Sequence, residues 1–547
     1  MSYVTGAHNM KIGYQYRMLD LQDDDLAGDT QLGYRFNGLT PNAVSYYLPE
    51  MGRRTITKTN GLYLQDTWTM SKLTVQGALR WDHASSYAPV EGNGTFGKTS
   101  FLNPQPITIA ETKGVDAYND LTPRVGVAYD VFGNGKTALK LQWGKYLAYA
   151  ANDAPYTSTN PGATIVRSVT NRGWNASTAA GGNGDLVVDC NLLNPNANGE
   201  CAALVGNPRN FGSSGSATQV DPAVLSGWGV RPGDTQTTFT VQQELLPRVS
   251  GDFSYTHRSF HGFFVTDDLN RDIATAYESY TLTAPQDSRL ADGGGYPVTV
   301  FVPTAAANAL GTQTILRRES YFGDERDSTW DGFEVSINAR MRSGLMTQLG
   351  TSTGRGKVNT CATATNYNQV TNAALGTEDG PNPRGCDNVE PWQTTLRGSA
   401  SYTVPKIDVL VSAVVRSQPN ALLGGTPNTI ATWQVPNSVI AAALGHLPPG
   451  ATATGTTNIP LTDNEHRVYA DERRTQLDLR FAKILRFGRT RTDIGVDVNN
   501  VTNSNYALGW NNTYIYGTDN APRPSGWSTP ASIVNPRFVR LNFTVNF

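Results

Sequence analysis

Apolar and polar residues alternate along much of this chain with a period of two. Met10, Ile12, Tyr14, Tyr16 and Met18 interleave with Lys11, Gly13, Gln15 and Arg17. Leu73, Val75, Leu79 and Trp81 interleave with Thr74, Gln76, Arg80 and Asp82. The same pattern places Val125, Val127, Tyr129 and Val131 against Arg124, Gly126, Ala128 and Asp130, and Leu139, Leu141 and Trp143 against Lys140 and Gln142. It returns late in the chain, where Leu477, Leu479 and Phe481 alternate with Gln476, Asp478 and Arg480, and Ile494, Val496 and Val498 with Asp493, Gly495 and Asp497. The terminal RFVRLNFTVNF sets Val539, Leu541, Phe543, Val545 and Phe547 on one side, with Arg540, Asn542, Thr544 and Asn546 on the other. Successive side chains of a strand point to opposite faces, so each run predicts a strand with one apolar and one polar side.

The connections are of two kinds. Tight turns are predicted at TMSK (69–72), FGNGKT (132–137), LPRVS (246–250), RSG (342–344), VPKID (404–408) and RFGRTRT (486–492). Between them lie long stretches rich in Gly, Asn, Ser, Thr and Pro: 84–121, 149–234, 266–328, 355–390, 418–473 and 502–535. Strict alternation of short and long connections predicts an all-β fold, an antiparallel transmembrane β-barrel of outer-membrane type, with short periplasmic turns and long extracellular loops. About 14–16 strands are expected, the upper figure if QLGYRF and SYYL in 20–57 add a pair. A soluble sandwich or propeller fits less well, since several runs exceed the usual strand length of roughly five or six residues and the loops are too unequal for a repeat. Trp68, Trp81, Trp143, Tyr146 and Trp392 near strand ends suit an interfacial girdle.

Composition removes several alternatives. Lys and Arg number 44 against 46 Asp and Glu, so no polyanion partner is implied and nucleic-acid binding is not expected. The mean hydropathy of −0.37 resembles that of a soluble protein. It does not exclude a barrel, in which only alternate residues meet lipid. The longest apolar run, Val439 to Leu444, is too short for a spanning helix. The start, MSYVTGAHNMKIGYQYR, lacks the apolar core and cleavage site of a secretion signal, which leads us to expect a chain that begins partway through a longer precursor. Four cysteines lie in Gly/Asn-rich stretches, and local pairing of Cys190 with Cys201 and Cys361 with Cys386 suits an oxidising compartment. Free thiols and the other connectivities remain the alternatives.

Chemistry is sparse. His257 and His261 are four apart, roughly 13 Å along a strand, too far to share a metal. GGNG at 181–184 and GGG at 293–295 lack the strand–loop–helix setting of a phosphate loop. No nucleophile with a matching base is found, so an enzyme is not expected. In NGDLVVDCNLLNPNANGEC, residues 183–201, Asn183, Asp185 and Asp189, with Glu200, offer hard oxygens to a calcium ion. A solvated Asn/Asp/Gly turn is the simpler reading. Arg17, Arg80, Arg124, Lys140, Arg340, Arg397 and Arg480 fall on the polar faces and would line a lumen.

Several blocks then resemble a known family. GLYLQDTW followed by LTVQGALRWD looks like the paired strands of TonB-dependent outer-membrane receptors. LTPRVGVAYDVFGNGKTALKLQWGKY, QQELLPRVSGDFSYTHRSF, TAPQDSRLADGGGY, LDLRFAKILRFGRTRTDIGVDVNNVTNSN and PRFVRLNFTVNF resemble the Oar-like branch, whose members carry a carboxypeptidase-regulatory-like domain. The resemblance implies that residues 1–547 are the C-terminal part of a barrel of roughly 22 strands, with the signal peptide, regulatory-like domain, TonB box and plug lying elsewhere; closure as a smaller barrel is the alternative. It implies a bacterial outer-membrane location in contact with lipid, TonB engaged through the plug, and energised uptake of an unidentified extracellular solute. A cell-surface adhesive or structural role is the alternative. The terminal strand, with Phe543, Val545 and Phe547, resembles the signal read by the barrel assembly machinery.

Overall fold

The computed structural model describes residues 1–25, 32–47, 51–92, 106–163, 168–204, 218–362, 386–419, 432–461, 466, 473–488, 490–516, 522–523 and 526–546. Its main body is one 18-stranded sheet. A short strand, β1 (Ser2–Thr5), leads into β2 (His8–Asp25), β3 (Met51–Met70), β4 (Leu73–Ala88), β5 (Ala117–Asp130) and β6 (Thr137–Leu147). The wall continues through β7 (Gly233–Leu246), β8 (Val249–His261), β9 (Asp327–Arg340), β10 (Met346–Asn359) and β11 (Gln393–Val404). It ends with β12 (Val409–Pro419), β13 (Arg473–Phe487), β14 (Thr490–Asn499) and β15 (Phe538–Asn546). β2 to β15 are fourteen long strands, each antiparallel to its chain neighbour. Three short segments, 112–113, 226–228 and 387–389, extend single ladders.

The register makes the sequence alternation a continuous surface. Leu64 stands opposite Leu79, Leu141 opposite both Val127 and Phe239, Phe253 opposite Val335, Ile337 opposite Leu349, and Val496 opposite both Phe481 and Leu541. Directly opposed residues share a face, so one apolar belt runs across the wall. These side chains do not pack into a protein core. Leu141 is 49% exposed and Ile494 48%. A belt this long and apolar requires an apolar solvent.

The short turns share a backbone device. Gly6, Ser71, Gly133, Arg248, Gly344, Lys406 and Gly488 all have positive φ, so each short turn holds at least one such residue. Such residues let the turn follow the right-handed twist of the strands it joins. Gly488 (φ 62°) takes this conformation freely, whereas Arg248 (φ 72°) does so against its Cβ.

Among the described residues the sheet does not close on itself. Among the described residues, β15 pairs only with β14, and β1 covers β2 only from His8 to Lys11. Exposure rises accordingly at the free edge, to 80% at Leu541.

The long connections fold into structures of their own. The pair expected in 20–57 is present but outside the wall. Leu32–Asn37 and Thr40–Tyr47 join Ser168–Trp174 and Cys201–Leu204 in a four-stranded sheet. Its core is Val44, Tyr46, Trp174, Ala176 and Cys201. A second lobe gathers three connections: the hairpin Tyr277–Thr283/Pro297–Pro303, then Thr432–Pro436 with the helix Asn437–Leu444, then Thr513–Tyr516. Trp433 and Trp527 are its largest buried side chains, at 1% and 0% exposure. The apolar run at 439–444, too short to span a membrane, supplies Ile440 to this core.

Candidate functional site: the lumen wall and its outer mouth

The face opposite the apolar belt is polar, and several of its cations meet a partner where they stand. The Arg80 guanidinium donates to both carboxylate oxygens of Asp82, at 2.9 and 2.8 Å from Nε. Lys140 Nζ donates to Gln242 Oε1 at 2.8 Å. Arg258 pairs with Asp234 at 3.0 Å, and Arg480 lies 3.6 Å from Asp497, which also accepts from Asn542. Arg124 lies 4.5 Å over the ring of Tyr146. That contact corrects the girdle expectation for Tyr146: it is an odd number of residues from the outward Trp143, so period two turns it inward. Trp68 and Trp143 remain on the outer face, Trp68 stacked on His8 at 5.5 Å.

Residues 148–163 fold back against this inner face near the outer ends of β2 to β4. Arg17 Nη2 donates to Ala150 O at 2.6 Å and its guanidinium lies 3.8 Å over Tyr149. Asn152 Nδ2 donates to Thr55 O, Asn160 Nδ2 to Thr55 Oγ1, and Ser86 Oγ to Tyr156 O. Ala84, Val115, Tyr118, Ala150, Tyr156 and Val230 form a small core behind the segment. Beyond the end of β4, buried Glu91 clasps it. Glu91 Oε1 accepts Gly162 N–H at 3.1 Å and Oε2 accepts Arg54 N–H at 2.7 Å. Burial raises this carboxyl above its ordinary range, although its three donors pull the other way. The period-two pattern gave no sign of this folded-in segment, because its anchors are backbone carbonyls and short polar side chains.

One stretch of the inner face differs. From β10 to β13 the inward positions include Arg397, Arg416 and Arg474, which line a cavity of about 550 Å³ with Gln418, Gln476, Tyr506 and Leu508. Arg397 also borders adjoining hollows of about 310 and 450 Å³. Arg340 lines a further one of about 630 Å³ with Arg248. Of these, Arg340 and Arg397 were expected on the polar face. Arg416 and Arg474 were missed, although both keep the parity of their strands.

The first lobe holds the residues considered for calcium. Cys190 and Cys201 are bonded there, with Cα atoms 5.9 Å apart. Asn183 Nδ2 donates to Asp185 Oδ2 at 3.1 Å and to Asp189 Oδ2 at 2.5 Å, while its Oδ1 accepts Asp185 N–H, which sets the amide orientation. Glu200 accepts from Trp174 Nε1 and from the N–H groups of Asn183 and Asp189. Among the described residues no group of three or more His, Cys, Asp or Glu side chains could hold a metal ion. The same loop buries Arg172, which is 0% exposed. It donates to the carbonyls of Ala202, Asn191, Asn194 and Asn196 at 2.6–3.2 Å. Cys361 and Cys386 are bonded to each other, with Cα atoms 4.9 Å apart, where β10 ends. His257 faces outward and meets Asp331 at 2.9 Å, apart from His261. On β15, Phe543 and Val545 share the outward face, and Phe547 lies outside the described residues.

A wall of long antiparallel strands, apolar outside, polar inside, with tight turns on one rim and folded lobes on the other, is the architecture of an outer-membrane β-barrel. Residues 1–350 match the family model described as an outer membrane beta barrel domain. The chain belongs to that family and is located in the outer membrane. No curated protein sequence matches it. Among solved structures, it is similar to the outer membrane transporter YddB from Escherichia coli (11% identity, 99% of this chain, 64% of that one, TM-score 0.41). It is also similar to the siderophore receptor PiuA from Acinetobacter baumannii (10%, 100% and 54%, 0.43) and the ferric yersiniabactin uptake receptor FyuA from Yersinia pestis (10%, 100% and 56%, 0.40). The chain thus spans little more than half to under two thirds of these proteins, and the likeness is one of fold alone.

Proposed function

We propose that residues 1–547 form most of the wall and mouth of a TonB-dependent receptor that takes up a solute too large or too scarce for open porins. The observation that carries this reading is the mouth. Its long connections are packed into lobes with tryptophan cores, and a segment is clasped inside the rim, where a simple pore needs neither. On this reading the open edges of β2 and β15 are joined by further strands of the same protein, because an unpaired edge is untenable in lipid. A plug domain engages TonB, the assembly machinery reads the Phe543/Val545/Phe547 strand, and the protein performs no catalysis. The closer kinship to the Oar-like branch belongs to the same proposal. The neighbours named above are an outer membrane transporter, a siderophore receptor and a ferric yersiniabactin uptake receptor, and the solute here is left open.

The test is a gene deletion scored for growth on limiting iron chelates, cobalamin, oligosaccharides and peptides, in cells with and without TonB. A nutrient defect matched by loss of TonB is the expected result. A second reading, adhesion, is favoured by the outermost strand Leu32–Asn37, whose Tyr34 and Phe36 rings stand half exposed edge-on to Trp174. A deletion with normal growth on every nutrient and lost surface attachment establishes adhesion instead.

A further inference from the structure

Two arginines of the inner wall stand face to face. Arg397 on β11 stands directly opposite Arg416 on β12, and Arg416 stands opposite Gln476 on β13. Like charges directly opposed on an antiparallel pair repel. Elsewhere on this face an aspartate, a glutamine or an aromatic ring answers Arg80, Arg258, Arg480, Lys140 and Arg124, and the chain as a whole carries a formal charge of only −2. Arg397 and Arg416 make no ion pair or hydrogen bond through their side chains among the described residues. Glu334 shares the adjoining hollow with Arg397 but forms no ion pair with it among those residues.

We propose that Arg397 and Arg416 form an oxyanion site near the outer end of the lumen, filled by a carboxylate or phosphate group. Each guanidinium presents five N–H donors in a planar fork that matches such an anion bidentately, and an anion between two forks turns their repulsion into binding. The cavity places a third guanidinium, Arg474, beside them, with one nitrogen donating to Leu508 O at 3.3 Å. Tyr506 and Leu508 come from the last long connection, so the site opens towards the extracellular mouth. Gln476 is already engaged, donating to Asp478 and accepting from Tyr506, so Arg397 and Arg416 are the groups left to recognise a ligand. The proposal deepens the transport reading by naming the charge class of what the lumen holds. The anion has two possible sources: a permeating solute or a carboxylate on another segment of the same protein.

Arginine-specific modification by phenylglyoxal, read residue by residue by mass spectrometry on protein extracted from outer membranes, separates them. Exposed Arg342 on a short turn is the internal reference. For a solute site, Arg397 and Arg416 react readily alone, and inorganic phosphate or tricarballylate slows both, by about tenfold at roughly ten times the dissociation constant. For an internal carboxylate they are slow from the outset and released by high salt, which screens the pair. In both cases Arg397→Gln abolishes the protection of Arg416 while heat-modifiable gel mobility stays normal. The proposal is overturned if both arginines react as fast as Arg342 with and without the anions, or if Arg416 stays protected in R397Q. That outcome leaves TonB-linked uptake untouched, whereas loss of the nutrient phenotype with protection intact strikes the transport reading alone.

Discussion

The wall and the extracellular lobes bury apolar surface in opposite directions. In the wall, Leu141 and Phe239 point away from the protein and depend on lipid to cover them. In the second lobe, Trp433, Val435, Ile440 and Ile459 point at one another and need no lipid. The wall is therefore stable only in its membrane. Each lobe carries a private core drawn from connections far apart in sequence. A barrel that must offer a specific outer surface can hold its loops in shape this way without altering a single wall strand.

The sharpest way to break this contrast is Trp433→Ala. Emptying a fully buried tryptophan site should cost about 3–5 kcal/mol, confined to the second lobe. Surface proteolysis on whole cells should rise sharply while the urea midpoint of the wall in vesicles stays constant. A matching shift of that midpoint would mean that lobe and wall fold as one unit.

Leu141→Arg tests the other half. A charge on the lipid face near the midplane should cost about 2–4 kcal/mol, whereas its inward neighbour Gln142→Arg should cost close to nothing. Equal effects in a urea titration would refute the assignment of faces.

Within the first lobe, Arg172→Gln should cost about 1–3 kcal/mol for the carbonyls it leaves unpaired. Protease protection of 183–201 should fall accordingly, and EDTA should leave the native protein unchanged. Loss of protection on chelation would restore calcium at Asn183, Asp185 and Asp189.

The smallest effect concerns pH. Asp287 is held below its ordinary value of 3.8 by the Arg289 guanidinium, so its contribution is present above that value and fades as pH falls through the lowered one. His446 is raised above 6.5 by the Leu447 carbonyl and then Glu278, so its contribution is present below 6.5 and fades as pH rises through the raised value. Protease resistance of the second lobe should therefore peak between 3.8 and 6.5. His446→Gln should flatten only the alkaline side.

Much of the wall was legible beforehand. Met10 to Met18, Leu139 to Trp143 and Ile494 to Val498 all lie on long strands in the faces their alternation predicts. QLGYRF and SYYL were readable as strands but not as lobe strands, because whether a strand joins a wall or a cap depends on which partner edge is near. The candidate site was half visible: parity placed Arg397 inward, but only the register brought it opposite Arg416. Arg172 gave no signal at all, since a basic residue in a Gly/Asn-rich loop looks solvated until the chain closes around it.

The sequence by itself determined the strands, their two faces, the short and long rims and the outer-membrane class. These depend on a local period of two that each strand carries alone. Only the tertiary structure decided the two lobe cores, the inward fold of 148–163, the carbonyl cage of Arg172 and the opposed arginines. Each is a meeting of residues far apart in the chain, such as Trp433 with Tyr514 and Trp527, or Arg17 with Ala150. No local pattern records which distant segments meet, because that choice is set by the register and the packing of the whole sheet.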